Sequence, residues 1–268
     1  FMNVMGDFRY VSPHEFKEYH EAFGRFYNNT YNTSQHYEDH NLIEMIKAET
    51  SQLQNIPSGY TERRIAFNPS GLIANFLGLN YKLCVQVGRW IFVHAGLTQS
   101  LCESSICVIN NSISRYLIQG NQNKSSPSYN ANEQIDAGIF NKLVNNHNEN
   151  WSPVWSREFG DKPTGNERDE KKLCAKFTML LKDYNRANES YQHANNAPAA
   201  EYLAIGHSPQ FWNEMDINSI CGGKVWRCDV GMSRAFLDET DANNSSALEH
   251  RKPMILEILN DRTINKIS

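Results

Sequence analysis

Lys82-Leu83-Cys84-Val85-Gln86-Val87-Gly88-Arg89-Trp90-Ile91-Phe92-Val93-His94-Ala95-Gly96 carries the clearest strand signal in the chain. Two runs rich in β-branched and aromatic residues flank Gly88-Arg89, the signature of a hairpin with a two-residue turn. The second run, Trp90 to Val93, is wholly apolar and predicts a strand buried on both faces, as inside an α/β sheet. It leads straight into a histidine and then Ala95-Gly96. Tyr202-Leu203-Ala204-Ile205 repeats the arrangement, a short apolar strand ending in Gly206-His207-Ser208-Pro209. Lys224 to Val230 predicts a strand ending at Gly231, and Pro253 to Leu259 a further one.

Around these strands the periodicity is helical. Ser12-Pro13-His14-Glu15 is a capping box with proline at the first helical position, opening a helix to about Phe26 with Phe16, Tyr19, Phe23 and Phe26 inward. A second helix is predicted over 35–54, a loop over 55–64, and a short helix after Ser70-Gly71. Leu101, Ser105, Val108, Ile109, Ile113 and Tyr116 mark a helix after Thr98, followed by a polar loop from Gly120. Ile135, Ile139, Phe140 and Leu143 mark the next helix, and Leu173, Phe177, Leu180, Leu181 and Tyr184 a strongly periodic one. The stretch 185–200 reads as too polar for a core. Helices come early and alternate with strands later, without an internal repeat, which predicts one α/β domain with a helical insertion.

Composition narrows the function classes. The chain has 268 residues, with 26 Lys and Arg against 30 Asp and Glu, and this net charge of −4 leaves no basic stripe for nucleic acid. No apolar run approaches the roughly 18 residues of a membrane span. Neither nucleic acid nor a membrane is therefore expected as a partner. Six cysteines occur without a C-x-x-C pair. They read as reduced core cysteines in a cytoplasmic protein, not as zinc ligands or bridges. The pair His36/His40 reads as a solvated helix face, and Ser233 lacks the surroundings of a nucleophile elbow.

The chemistry-bearing residues are His94, His207 and Arg157. Ligands of open α/β sheets collect outside the carboxyl ends of strands, where both histidines fall. Imidazoles there suit metal ligation or proton transfer, or serve as hydrogen-bonded residues at a sheet edge. Arg157 follows Trp155-Ser156 in a loop. It suits an oxyanion clamp, its alternative being a surface salt bridge.

Taken in order, Val93-His94-Ala95-Gly96-Leu97, Ile205-Gly206-His207-Ser208-Pro209-Gln210 and Asp229-Val230-Gly231-Met232-Ser233 resemble the C-terminal motifs of calcineurin-like metallophosphoesterases. Met2 to Ser12, Arg64-Ile65-Ala66-Phe67 and Pro153-Val154-Trp155-Ser156-Arg157 also fit, and the pattern is most similar to the Shewanella-like protein phosphatases. The resemblance implies a metallophosphoesterase-like β-sandwich flanked by helices. It further implies two divalent metal ions (Mn, Fe or Zn), with His94 and His207 as ligands of the second. Arg157 would grip the substrate phosphate and Asp229 organise the site. The implied reaction is attack on phosphorus by a metal-bridging hydroxide, on a phosphorylated protein.

The family's earlier motifs carry the remaining metal ligands and the general acid, and no Gly-Asp-x-His or Asn-His-Glu occurs here. Phe1 therefore reads as a cut end. Residues 1–268 are expected to be the C-terminal part of one metallophosphatase domain, its N-terminal part missing. Within it, 13–55 would be a helical insertion over the cleft and 237–268 the C-terminal strands. Alone, such a piece is expected to be inactive, and no catalytic residue is assigned within it. The alternatives are hydrolysis of a dinucleoside polyphosphate or another small phosphoester, and a non-catalytic binding homologue.

Overall fold

The computed structural model describes residues 2–5, 8, 11–21, 57–120, 138–145, 151–232 and 252–268. The chain divides into two compact units, one of residues 1–81 and 113–137, the other of 82–112 and 138–268. The helix predicted over 35–54, His36, His40, Ser233 and most of 13–55 lie outside the described residues.

In the first unit residues 13–21 are helical, and Ser12 Oγ accepts the Glu15 N–H at 3.2 Å, as the capping box requires. Phe16 is buried, with its ring 6.0 Å from Tyr60 and 5.8 Å from Phe8. The loop predicted over 55–64 is corrected: Tyr60–Phe67 is a helix, α1. Pro57 and Gly59, which suggested a loop, only make the turn into it. Gly59 takes φ +92°, and a Cβ there would fall 1.7 Å from Phe16 O, so glycine is required. Arg63 is buried, its guanidinium 4.6 Å from the Tyr19 ring and 4.9 Å from that of Phe67. Helix α2, Leu72–Asn80, follows Gly71 and buries its small residues Ala74 and Gly78.

The second unit is built on a five-stranded mixed sheet. Its strands are β1 (Cys84–Val87), β2 (Trp90–Val93), β3 (Tyr202–Ile205), β4 (Asn218–Ile220) and β5 (Val225–Arg227), in the order β1-β2-β3-β5-β4. The predicted hairpin forms with Val87 opposite Trp90. β2 pairs parallel with β3 and β3 with β5, while the edge strands run antiparallel. β2 is less enclosed than its sequence suggests: Phe92 is 36% exposed, because it pairs with Val85 on the open side of the edge hairpin. A separate hairpin, β6 (Ile255–Leu259) with β7 (Thr263–Ile267), closes the chain.

Helix α3 (Ile106–Gln119) starts later than expected: Leu101 lies in a separate 3₁₀ turn, Gln99–Cys102, and Val108 is exposed, whereas Ile109 and Ile113 are buried, as are Phe140 and Leu143 in a helical segment over 138–145. Helix α4, Glu167–Ala194, is 28 residues long and buries Phe177, Leu180, Tyr184, Asn188 and Gln192 in one stripe. The expectation that 185–200 is too polar for a core is thereby corrected. Asn188 is fully buried because its Oδ1 accepts the Ile106 N–H at 2.8 Å and its Nδ2 donates to Tyr184 O at 2.9 Å. Gln86 completes the network. Its Oε1 accepts from Tyr184 OH at 3.3 Å and Gln192 Nε2 at 3.2 Å, and its Nε2 donates to Gly88 O and Pro198 O. Amides that satisfy one another can be buried where isolated ones cannot.

The cysteine reading is also corrected. Cys174 on α4 and Cys221 in the turn between β4 and β5 form a disulfide, with Cα atoms 5.2 Å apart. Folding brings together two residues 47 positions apart, a pairing no local spacing signals. Cys84 and Cys102 are free and buried, and burial pushes each thiol up to about 12. Disulfides belong to oxidising environments, so the bridge removes reduced cysteines as a ground for a cytoplasmic location. Among the described residues no helix is long and apolar enough to cross a membrane.

Candidate functional site

Parallel pairing of β2 with β3 sends both carboxyl ends the same way, and that is what joins the two histidines. Gly206 N–H donates to His94 O at 2.8 Å, continuing the ladder one step beyond the strands. His94 Nε2 then lies 3.2 Å from His207 Nδ1, with ring centroids 5.0 Å apart. His207 adopts φ +68°, a left-handed conformation that swings its ring back toward His94.

Asp229 arrives from the neighbouring parallel strand. Cys228 N–H donates to Ile205 O at 2.7 Å, and Asp229 Oδ1 accepts from Gly231 N–H at 3.0 Å. The loop bearing Arg157 is fastened to the turn after β2, since Pro153 O accepts from the N–H groups of Ala95 and Gly96. Trp155 anchors that loop by donating from Nε1 to Val144 O at 3.1 Å, and its ring stands edge-on to His207 at 5.8 Å. Arg157, His94 and His207 are thus brought into one site.

Burial disfavours the charged form of both histidines. Burial, then the neighbouring His94 and the Arg157 guanidinium, push His207 down to about 4, with Asp229 opposing. His94 is also lowered, by desolvation first, again with Asp229 opposing. His207 Nε2 is buried and has no hydrogen-bond partner among the described residues. The two facing nitrogens, His94 Nε2 and His207 Nδ1, could turn their lone pairs on one ion while His207 Nε2 points away, so the pair fits a transition metal as part of a ligand set. The pair alone is incomplete: among the described residues no group of three or more His, Cys, Asp or Glu could hold a metal.

Beside the histidines opens a cleft of about 350 Å³ lined by Arg157, Asp161, Lys162, Ser208 and Trp212, among others. Its two sides meet closely. A Cβ on Gly160 would fall 2.6 Å from Ser208 Oγ, and that hydroxyl donates to Asp161 Oδ1 at 3.2 Å. Lys162 and Trp212 had no signal in the sequence. Gln210 ends the Ile205–Gln210 motif, where nothing local signals a role.

Comparison with known proteins finds a distant likeness. The chain is 25% identical over 251 residues to Shewanella-like protein phosphatase 2 of Arabidopsis thaliana, covering 88% of this chain and 52% of that protein. The chain therefore spans about half the length of that relative. No family model and no solved structure matches it.

Proposed function

We propose that the chain is part of a metal-dependent phosphoester hydrolase whose leading substrates are phosphoserine and phosphothreonine proteins. On this reading its mixed sheet belongs to a metallophosphoesterase-like β-sandwich. The observation that carries the proposal is the His94–His207 contact, 3.2 Å between ring nitrogens beside the charge of Arg157. The distant likeness to a protein phosphatase supports it.

His94 and His207, kept neutral by their surroundings, would hold a divalent ion (Mn, Fe or Zn) together with donors that are not among the described residues. Divalent ions in such a site supply Lewis acidity toward phosphoryl oxygens. Arg157 binds two of those oxygens through its planar fork and cannot lose its charge. Asp229 holds its turn and moderates the charge around the histidines. The adjoining cleft gives the leaving group room.

The test is hydrolysis by the intact protein, after chelation and after adding back manganese, of a phosphopeptide and of a dinucleoside polyphosphate. Manganese-restored turnover of the phosphopeptide is expected. Turnover of the dinucleotide alone would move the substrate class to small phosphoesters. Turnover of neither would overturn the hydrolase and favour a binding homologue, a reading that the two-member histidine set also accommodates.

A further inference from the structure

Gln210 has no exposed surface, and every polar atom of its carboxamide is engaged. Nε2 donates to Gly160 O at 2.9 Å and to Ser208 O at 2.5 Å. Oε1 accepts from Asn218 Nδ2 at 2.9 Å. The backbone N–H of Gln210 donates to Asp229 O at 2.8 Å.

Each partner belongs to a different segment of the site. Gly160 closes the turn that Arg157 opens, since Arg157 O accepts from the N–H groups of Gly160 and Asp161. Ser208 follows His207 directly, and Asp229 is the carboxylate that acts on both histidines. The network closes on itself behind the cleft. Asn218 Oδ1 accepts from Arg227 Nε at 2.6 Å, and Arg227 NH1 donates to Asp161 O at 3.1 Å. Arg227 is 3% exposed, its guanidinium 4.8 Å from the centre of the Trp212 ring.

We propose that Gln210 is a positioning residue, setting where Arg157 stands relative to the His94–His207 pair so that one phosphoryl group meets both. The proposal rests on the phosphoesterase reading above. Nothing in the sheet requires a side-chain amide here; it joins the arginine's loop to the histidine's. Without its two donors the carbonyls of Gly160 and Ser208 would be buried unpaired, and the loops would separate to hydrate them. Displacements near 1 Å are enough to weaken a two-point grip on a small anion.

Two variants of similar volume separate this role from filling space. Gln210→Met removes the hydrogen bonds of the carboxamide to Gly160, Ser208 and Asn218, and Gln210→Glu keeps the acceptor while losing both donors. In the intact, manganese-loaded protein, both are expected to bind inorganic phosphate about tenfold more weakly by calorimetry, with KM for a phosphopeptide raised and kcat lowered. Asn218→Ala, a milder change should the others fail to fold, is expected to shift phosphate affinity the same way by about threefold. Asn188→Ala, in the network around Gln86, should lower Tm and leave phosphate affinity unchanged. Lowered Tm with wild-type phosphate affinity in the Gln210 and Asn218 variants would make Gln210 merely structural and overturn the proposal. Wild-type protein that binds phosphate without hydrolysing any ester would refute the hydrolase alone. Wild-type protein that binds no phosphate would refute the positioning role as well.

Discussion

His94 and His207 share a contact, Nε2 to Nδ1 at 3.2 Å, because one backbone hydrogen bond, Gly206 N–H to His94 O, carries the parallel ladder past the ends of β2 and β3. Neither ring would reach the other from antiparallel strands. The contact, the burial of His207 and the nearby guanidinium all disfavour a second positive charge here.

A pH dependence follows, with a definite sign. Above about pH 6.5 His207 is neutral in both folded and unfolded chains and contributes nothing to the dependence. As pH falls below that value the unfolded chain takes up a proton, which the folded chain refuses until about 4. His207 therefore lowers stability progressively across that window. His207→Asn, chosen because asparagine tolerates the left-handed backbone, should show a smaller fall in Tm between neutral and mildly acid pH than wild type. Equal falls would mean the ring is not held neutral.

His94→Ala should leave the fold intact, since the ring lies at an exposed rim. Phosphoester hydrolysis by the intact protein should drop by at least about 100-fold, as loss of a metal ligand would produce. Circular dichroism and a phosphopeptide assay check the two halves, and full turnover would remove His94 from the ligand set.

Arg157→Ala acts on the anion, not the metal. Inhibition by inorganic phosphate is expected to weaken by about tenfold while bound manganese is unchanged. An unaltered inhibition constant would return Arg157 to an ordinary surface role.

Removing the Cys174–Cys221 bridge, by Cys174→Ser or by reductant, should cost about 4 kcal/mol in the chain-entropy account of a loop this long. The denaturant midpoint with and without reductant measures it. Identical midpoints would show that the two thiols are not joined.

Gln86→Leu deprives Tyr184 OH, Gln192 Nε2 and the Pro198 carbonyl of a buried partner. A loss of about 2–3 kcal/mol is expected in urea unfolding. The change is close in volume, so a neutral result would show that the amides find other partners or water.

These residues also show what a reader of the sequence can and cannot see. The hairpin through Gly88, the strand ends at His94 and His207 and the α4 stripe from Phe177 to Tyr184 are local patterns of alternation, turn chemistry and period. Local patterns are written in neighbouring residues. The burial of Asn188 and Gln192 is not, because their partners Ile106 and Gln86 lie 82 and 106 positions away. Cys174 and Cys221 are hidden for the same reason. Helix α1 was obscured by Pro57 and Gly59, whose turn chemistry dominates a short window. At the site, the residue types at strand ends were legible, whereas Gln210, Lys162 and Trp212 gain meaning only once three loops converge.

The seam between Gly160 and Ser208 has a consequence for the history of the site. With 2.6 Å between a would-be Cβ at 160 and the serine hydroxyl, the two positions draw on one small volume. Neither can drift independently: a side chain gained at 160 requires one surrendered at 208, beside a histidine that must keep its backbone turn. Lineages descended from this architecture would change the two positions as a pair or leave both alone.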